Sequence, residues 1–409
     1  MFRIANHNMS MKPVVIFGAH IAGYGVIRAL APQGIPLYLV SEKNNMVCCR
    51  SRYIRKQVCL EAGDAGFLYK LRRWMRETGI GSAVAIVAGS DEYLDVLSKN
   101  IDGLADIIIP TYPDWSRVRL VREKAVTHSI AVCAGVPSPV THLVETRDQL
   151  LRVLDLPKTR YPLILKAEDT KRLYRDYGKG VLKAESKSEA VDMFERYGGF
   201  YGRLLVQDYI PGGDDWLLNA ICVVDKKSDM IECFTNKKVR TSRNLGTCSL
   251  MVNCECTDVV ELSRKLLKAV GYYGYANPEY KYDERDGKIK LIEINGRVSM
   301  SNAHALKCGV NLPLAMYRLA TGEPVESNAC DAHQRYERKV LWWYPLSDAF
   351  GILASKGYRT PLRIIRDTTA FRYCIEPFSL SDPYPFVGEY LGLIKRAVVK
   401  LTNHVKQIF

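Results

Sequence analysis

The chain has 409 residues, and its 58 lysines and arginines exceed its 44 aspartates and glutamates to give a formal net charge of +14. With 47% hydrophobic and 25% charged residues it carries enough apolar surface to offset chain entropy, which excludes disorder as its main state. At about 100–200 residues per domain the length holds two to four domains. The charge excess fits a nucleotide user, an enzyme of acidic substrates, a membrane-surface protein or a nucleic-acid binder.

Residues 1–10 (MFRIANHNMS) are polar and hold no apolar core of signal-peptide length. Met11 opens the first strand, so Met1 and Met11 both stand as candidate starts. No run of about 18 apolar residues occurs, so no membrane-spanning helix is expected. PVVIFG (13–18), LYLV (37–40), AVAIVAG (83–89) and IIIP (107–110) are apolar strands separated by helical stretches. That alternation predicts a parallel, doubly wound sheet and an α/β domain over 11–112. Gly18, Gly23 and Gly25 follow the first strand as G-x4-G-x-G, not G-x-G-x-x-G, and only Glu42 lies near the end of the second strand. They are read as a tight strand-to-helix turn facing a ligand, in preference to a dinucleotide site.

From Arg119 the sequence predicts one helix closed by Gly135, then a proline-containing extended entry. Helices are predicted over 146–156 and 186–198, the second capped by Ser186 or Ser188 and ending at a glycine pair. Strands are predicted at 162–168, 204–210, 217–225, in the stretch to 252, at 275–283 and at 289–295, with a helix at 258–270. Few crossover helices join them, which predicts a largely antiparallel sheet with helices on one face. The last 80 residues hold the Trp342, Trp343, Tyr344 cluster and SDPYP (381–385). They end in an amphipathic stretch with Leu391, Ile394, Val398, Leu401, Val405 and Ile408 on one stripe and Lys395, Arg396, Lys400 and Lys406 off it. This stretch either packs onto the protein or lies on an anionic membrane. Twelve cysteines include adjacent Cys48 and Cys49 and the pair Cys254 and Cys256, but no CxxC. They are read as thiols in a reducing cytosol, with a redox or metal role for Cys254 and Cys256 as the alternative.

The chemistry concentrates in LIEINGR (291–297). Strand alternation puts Glu293 and Asn295 on one face, and Arg297 follows the strand end. Glu279 precedes in NPEYK. Two carboxylates and an amide are oxygen ligands suited to Mg²⁺ holding phosphate oxygens, and Arg297 could offset charge on a phosphoryl group. Upstream, Lys124 lies in REKAVTHSIAV, and Lys166 ends the apolar strand YPLILK, where an ammonium is costly unless it meets an anion. VQDYIPGGDD (206–215) is a strand entering a Pro-Gly turn that can offer backbone groups to an adenine edge.

Taken in order, Lys124 with GVPSP, YPLILK, VQDYIPG, NPEYK and EINGR resemble the motifs of the ATP-grasp superfamily over about 119–322. The resemblance implies a mixed α/β and α+β protein: a Rossmann-like pre-ATP-grasp domain (11–112), an ATP-grasp domain (113–325, subdomains about 119–205 and 206–325) and a C-terminal extension (326–409). It implies ATP and one or two Mg²⁺ ions as cofactors. Lys124 and Lys166 would hold phosphates. Gln207 would occupy the place where relatives set a Glu facing the adenine amino group, with Asp208, Tyr209 and Ile210 as the adenine hinge. Asp214 or Asp215 would bind ribose. Glu279, Glu293 and Asn295 would bind metal, Arg297 would stabilise the intermediate, and Lys238 and Arg240 would face the γ-phosphate or the acceptor carboxylate. The lid over the triphosphate departs from the family pattern: residues 168–185 hold only Gly178 and Gly180 and are basic and aromatic instead. His20 and His304 either touch substrate or are structural.

The whole layout is similar to predicted carboxylate-amine ligases of bacterial polysaccharide and cell-envelope biosynthesis. It implies a ligase that makes an amide through an acyl-phosphate, taking small-molecule carboxylate and amine substrates; an ATP-binding regulator or scaffold without turnover is the alternative. A cytoplasmic location, peripheral membrane contact through 389–409 and a homodimer are the accompanying expectations. No nucleic-acid partner is expected, since no recognisable module for one accompanies the charge.

Overall fold

A computed structural model describes residues 11–167, 180–241, 248–325, 339–354, 368–369 and 372–392, with backbone alone at 199–201, 350–351 and 353–354. The expectations for residues 1–10, most of the lid (168–179) and the terminal stripe beyond Leu391 lie outside the described residues. The chain divides into two compact units: 1–114 with 297–326 and 376–409, and 115–296 with 327–375. Among the described residues no helix is long and apolar enough to cross a membrane.

In the first unit, strands β1 (Val14–Phe17), β2 (Leu37–Ser41), β3 (Ile54–Cys59), β4 (Ala83–Val87) and β5 (Ile108–Pro110) form a parallel sheet in the order β3-β2-β1-β4-β5. Every residue of β1 and β4 is buried, as a parallel sheet covered on both faces requires. β3 was not anticipated; it is an edge strand, IRKQVC, whose charged residues face solvent and give no apolar run. Helices α1 (Ile21–Leu30), α2 (Phe67–Thr78) and α3 (Asp91–Lys99) follow β1, β3 and β4. The glycines of the first turn serve close packing. Gly18 has φ +110°, and a Cβ there would stand 2.0 Å from the Ala88 carbonyl oxygen; one on Gly25 would stand 2.5 Å from Asn302 Oδ1. SDPYP is held in this unit by Asp382, which accepts from Ser51 Oγ at 2.5 Å and the Arg52 amide at 3.2 Å.

The second unit contains two sheets where one was expected. Strands β6 (Thr141–Val144), β7 (Leu163–Ala167), β8 (Leu182–Ala184) and β9 (Leu204–Asp208) pair antiparallel in the order β6-β9-β7-β8. Helices α6 (Arg147–Leu154) and α7 (Lys187–Tyr201) cover one face through Leu150, Leu154, Ala190 and Phe194. Ser186 caps α7, and the helix runs through the glycine pair to Tyr201 before Gly202 ends it. The second sheet joins β10 (Leu217–Val224), β11 (Met230–Thr241), β12 (Cys248–Asn253), β13 (Gly274–Asp283), β14 (Lys288–Asn295), β15 (Val340–Trp343) and β16 (Arg372–Ile375) in the order β14-β13-β10-β11-β12-β15-β16. All its pairs are antiparallel except β15–β16.

The helix expected from Arg119 is two helices, α4 (Trp115–Arg122) and α5 (Lys124–Cys133), because Glu123 is extended at φ −80°, ψ 96°. Helix α8 (Thr257–Val270) with α4 and α5 buries one face of the large sheet through Ala220, Cys222, Ala276, Tyr280 and Leu291. Burial of such side chains contributes roughly 1.5–3 kcal/mol each. It also commits the alternate residues of those strands to the other face, where Glu279, Glu293 and Asn295 lie.

Candidate functional site

The second face of the large sheet is polar across four strands. Register places Glu279 opposite Glu293 and Asn277 opposite Asn295, and sets Asn219 opposite both Glu279 and Asn236. The pairing skips from Glu293 to Leu291 after Glu279, a bulge that keeps Leu291 in the core while Glu293 stays on the polar face. Asn295 Nδ2 donates to Glu279 Oε1 at 3.1 Å and to Glu293 Oε1 at 3.5 Å. Lys238 Nζ donates to Glu279 Oε2 at 2.7 Å, with both side chains 15% exposed. Burial works most strongly to lower the Lys238 ammonium, but the charge and hydrogen bond of Glu279, with Cys248 and Glu293 adding to them, together carry the net shift upward. Asn219 Nδ2 donates to Asn236 Oδ1 at 2.7 Å. Asn277, 2% exposed, buries an Oδ1 that has no donor among the described residues.

Two carboxylates beside a buried, unmet amide oxygen form an all-oxygen donor set that fits a hard divalent cation. Among the described residues no group of three His, Cys, Asp or Glu side chains is arranged to hold a metal. The set therefore relies on amides beside its two carboxylates.

A second constellation lies on the small sheet and α5. The extended Glu123 makes Lys124 the first residue of α5 and puts His128 one turn further on. Lys166 Nζ, on β7, donates to Gln207 Oε1 on β9 at 3.0 Å. Gln207 Nε2 donates to Thr141 Oγ1 at 2.8 Å and lies 3.0 Å from His128 Nε2. His128 Nδ1 is 2.7 Å from Ser138 Oγ. Burial, with Lys166 and Lys124 adding to it, pushes His128 down to about 3, so the ring is neutral. Burial is also the main reason that Lys166 falls to about 8; Glu293 opposes it and Lys124 reinforces it.

The turn after β9 is pinned from β13. Lys281 Nζ donates to the carbonyls of Ile210 and Gly212, each at 2.9 Å, and stands 5.5 Å from the centre of the Tyr209 ring, with Lys183 at 4.5 Å. The Asp208 amide donates to the Val140 carbonyl at 3.0 Å, and burial raises the Asp208 carboxyl. These bonds engage the Asp208 amide and the Ile210 carbonyl, two of the backbone groups expected of an adenine hinge. Asp214 accepts from Thr241 Oγ1 at 2.7 Å, and Asp215 is exposed.

Other candidates are placed elsewhere. Arg240 is 1% exposed and donates through Nε to Asp348 Oδ1 at 2.8 Å and through a second nitrogen to Asp348 Oδ2. Ser249 Oγ at 2.8 Å and Trp343 Nε1 at 2.9 Å donate to the same carboxylate. A bulge between Lys238 and Arg240 separates their directions. Arg297 lies in the first unit, where it pairs with Asp91 at 3.0 Å. His304 is buried and His20 exposed. Burial pushes the Cys254 thiol up to about 12 and raises Cys256 as well, the opposite of what a reactive or metal-binding thiolate needs. Sequence reading missed His128, Thr141, Ser138 and Lys281; only the position of His128 four residues after Lys124 signalled any of them.

A parallel α/β sheet in one unit and, in the other, two antiparallel sheets carrying basic and acidic side chains define the ATP-grasp fold. Residues 219–328 match the family model of the carbamoyl-phosphate synthase L chain, ATP binding domain. A D-aspartate ligase from Enterococcus faecium (strain Aus0004) is 26% identical over 239 residues, which cover 56% of this chain and 56% of that protein. The chain thus spans about half the length of the curated relative it matches. Among solved structures, an ADP complex of N5-carboxyaminoimidazole ribonucleotide synthetase superposes with a TM-score of 0.61 at 15% identity, covering 78% of this chain and 79% of that one. An L-amino acid ligase from Bacillus licheniformis gives a TM-score of 0.60 at 15% identity, covering 80% and 78%.

Proposed function

We propose that the protein is an ATP-dependent carboxylate-amine ligase that makes an amide through an acyl-phosphate and releases ADP and phosphate. The observation that carries this reading is the convergence of Glu279, Glu293, Asn295 and Lys238 on one polar sheet face. One carboxylate oxygen of the substrate attacks the γ-phosphorus, and the bond to the β-phosphate oxygen breaks as ADP leaves. The amine nitrogen then attacks the acyl carbon, the carbon–oxygen bond to phosphate breaks, and the amine's proton passes to solvent. Glu279, Glu293 and Asn295 would hold a divalent cation, which when bound would supply charge neutralisation for the transferring phosphoryl group. Lys166 and Lys124 bind the phosphates, and Lys238 faces the substrate carboxylate from its seat beside Glu279. No side-chain nucleophile is required, because phosphate itself is the leaving group.

Two similar proteins, a D-aspartate ligase and an L-amino acid ligase, are both named for an amino acid, so an amino acid is one substrate on this reading. The setting in envelope polysaccharide synthesis rests on the sequence resemblance. The test is isotopic. With an ¹⁸O-labelled carboxylate substrate, one labelled oxygen per turnover should appear in the released phosphate. Amide formation with unlabelled phosphate would rule out the acyl-phosphate route, and ATP binding without turnover on any amine and carboxylate would favour a regulator.

A further inference from the structure

We propose that His128 and Thr141 are positioning residues that lock the side-chain amide of Gln207, so that the nucleotide site accepts a 6-amino purine and rejects a 6-oxo purine. This rests on the proposed ATP-binding reading, in which Gln207 faces the base. A glutamine at a purine edge is ambivalent. Its carbonyl accepts from the amino group of adenine, but the flipped amide offers its NH₂ to the 6-oxygen of hypoxanthine or guanine. Selectivity therefore requires the flip to be blocked.

The neighbours of Gln207 block it. Thr141 Oγ1 donates its proton to the Pro139 carbonyl at 2.9 Å, so it meets Gln207 Nε2 as an acceptor. Thr141 and Lys166 thus set Gln207 Nε2 as the donor to neutral His128 at Nε2, and the tautomer that accepts it carries its proton on Nδ1, 2.7 Å from Ser138 Oγ. On the other side stands the Lys166 ammonium, a donor without acceptor capacity, 3.0 Å from Gln207 Oε1. Flipping the amide would set its oxygen against two lone pairs and its NH₂ against an ammonium. With Gln207 4% exposed, no water relieves that mismatch. Lys166 occupies one acceptor position of Oε1, and the second is offered to the 6-amino group. A 6-oxo purine would bring an acceptor against that acceptor.

The experiment is calorimetric titration of the full chain with Mg²⁺ and either ATP or inosine 5′-triphosphate, which differ only at position 6 and the adjacent ring nitrogen. Wild type should bind ATP tighter by about tenfold or more, the size of one mismatched buried hydrogen bond. Thr141→Val, a half-buried site, should narrow the ratio, and Thr141→Val with His128→Leu should bring the two affinities within a few-fold. Adding Gln207→Glu to that double variant should restore the preference, because a carboxylate has no donor to offer in any orientation. A purely structural role for His128 would not produce that rescue. Equal affinity for both nucleotides in wild type, or an unchanged ratio in folded Thr141→Val and in the double variant, would overturn the lock while leaving the ATP reading intact. Failure of wild type to bind either nucleotide would overturn the ATP reading itself. If the double variant melts early by circular dichroism, Thr141→Val alone decides the question.

Discussion

Lys166 is held where its charge is disfavoured, at about 8 against an ordinary 10.5, chiefly by burial. Two consequences follow from the sign. For binding, the ammonium is present at pH 7 and lost as pH rises through 8, so ATP affinity should weaken between pH 7 and pH 9.5. Lys166→Met should bind ATP more weakly at pH 7 and flatten that dependence; a parallel dependence in the variant would remove Lys166 from the phosphate site. For folding, the unfolded chain holds this proton more tightly than the folded one below pH 10.5, so the penalty is complete below pH 8 and fades between 8 and 10.5. Lys166→Met should therefore gain in urea midpoint over wild type at pH 7, with the gap closing near pH 10.5. Lys238 differs because Glu279 answers its charge at 2.7 Å. Glu279→Ala leaves that ammonium partly buried without this carboxylate, and should lower stability and stop turnover together.

At the scale of elements, the ion pair between Arg240 on β11 and Asp348, three residues into the helix Pro345–Ala354, fastens that helix to the sheet. Breaking a buried pair strands a charge, so Asp348→Ala should cost about 3–5 kcal/mol. Arg240→Met with Asp348→Leu should recover much of it, which paired denaturation curves will check. An Asp348→Ala loss below about 1 kcal/mol would contradict the burial seen here.

The same elements show what a linear reading can recover. The apolar runs of β1, β4, β7 and β10 announced themselves because buried strands need continuous hydrophobicity, and the motif strands β13 and β14 were legible from carboxylate placement. β3 was not, since an exposed edge strand carries too little pattern. The resemblance implied one role for Lys238 and Arg240, but a bulge between them breaks the parity that would put both on one face. His128 stayed hidden because its role depends on Gln207, 79 residues away. No local pattern marks such a pairing.

For the whole molecule, several of the 58 lysines and arginines of a +14 chain meet anions or carbonyls within the second unit. Lys238 meets Glu279, Arg240 meets Asp348, and Lys281 holds the turn after β9. Lys124 stands on α5 and Lys166 on the small sheet, and on the proposed reading both would face the triphosphate. The polar face of β13 and β14 then supplies the acidic half of the same chemistry. The most direct test is ADP release over a crossed panel of amino acids and carboxylates with Mg²⁺, in wild type and Glu293→Ala. We predict release that requires an amine and a carboxylate together in wild type and that disappears in a folded Glu293→Ala. Release that ignores either substrate, or survives the substitution unchanged, would contradict the assignment of this site as a carboxylate-amine ligase.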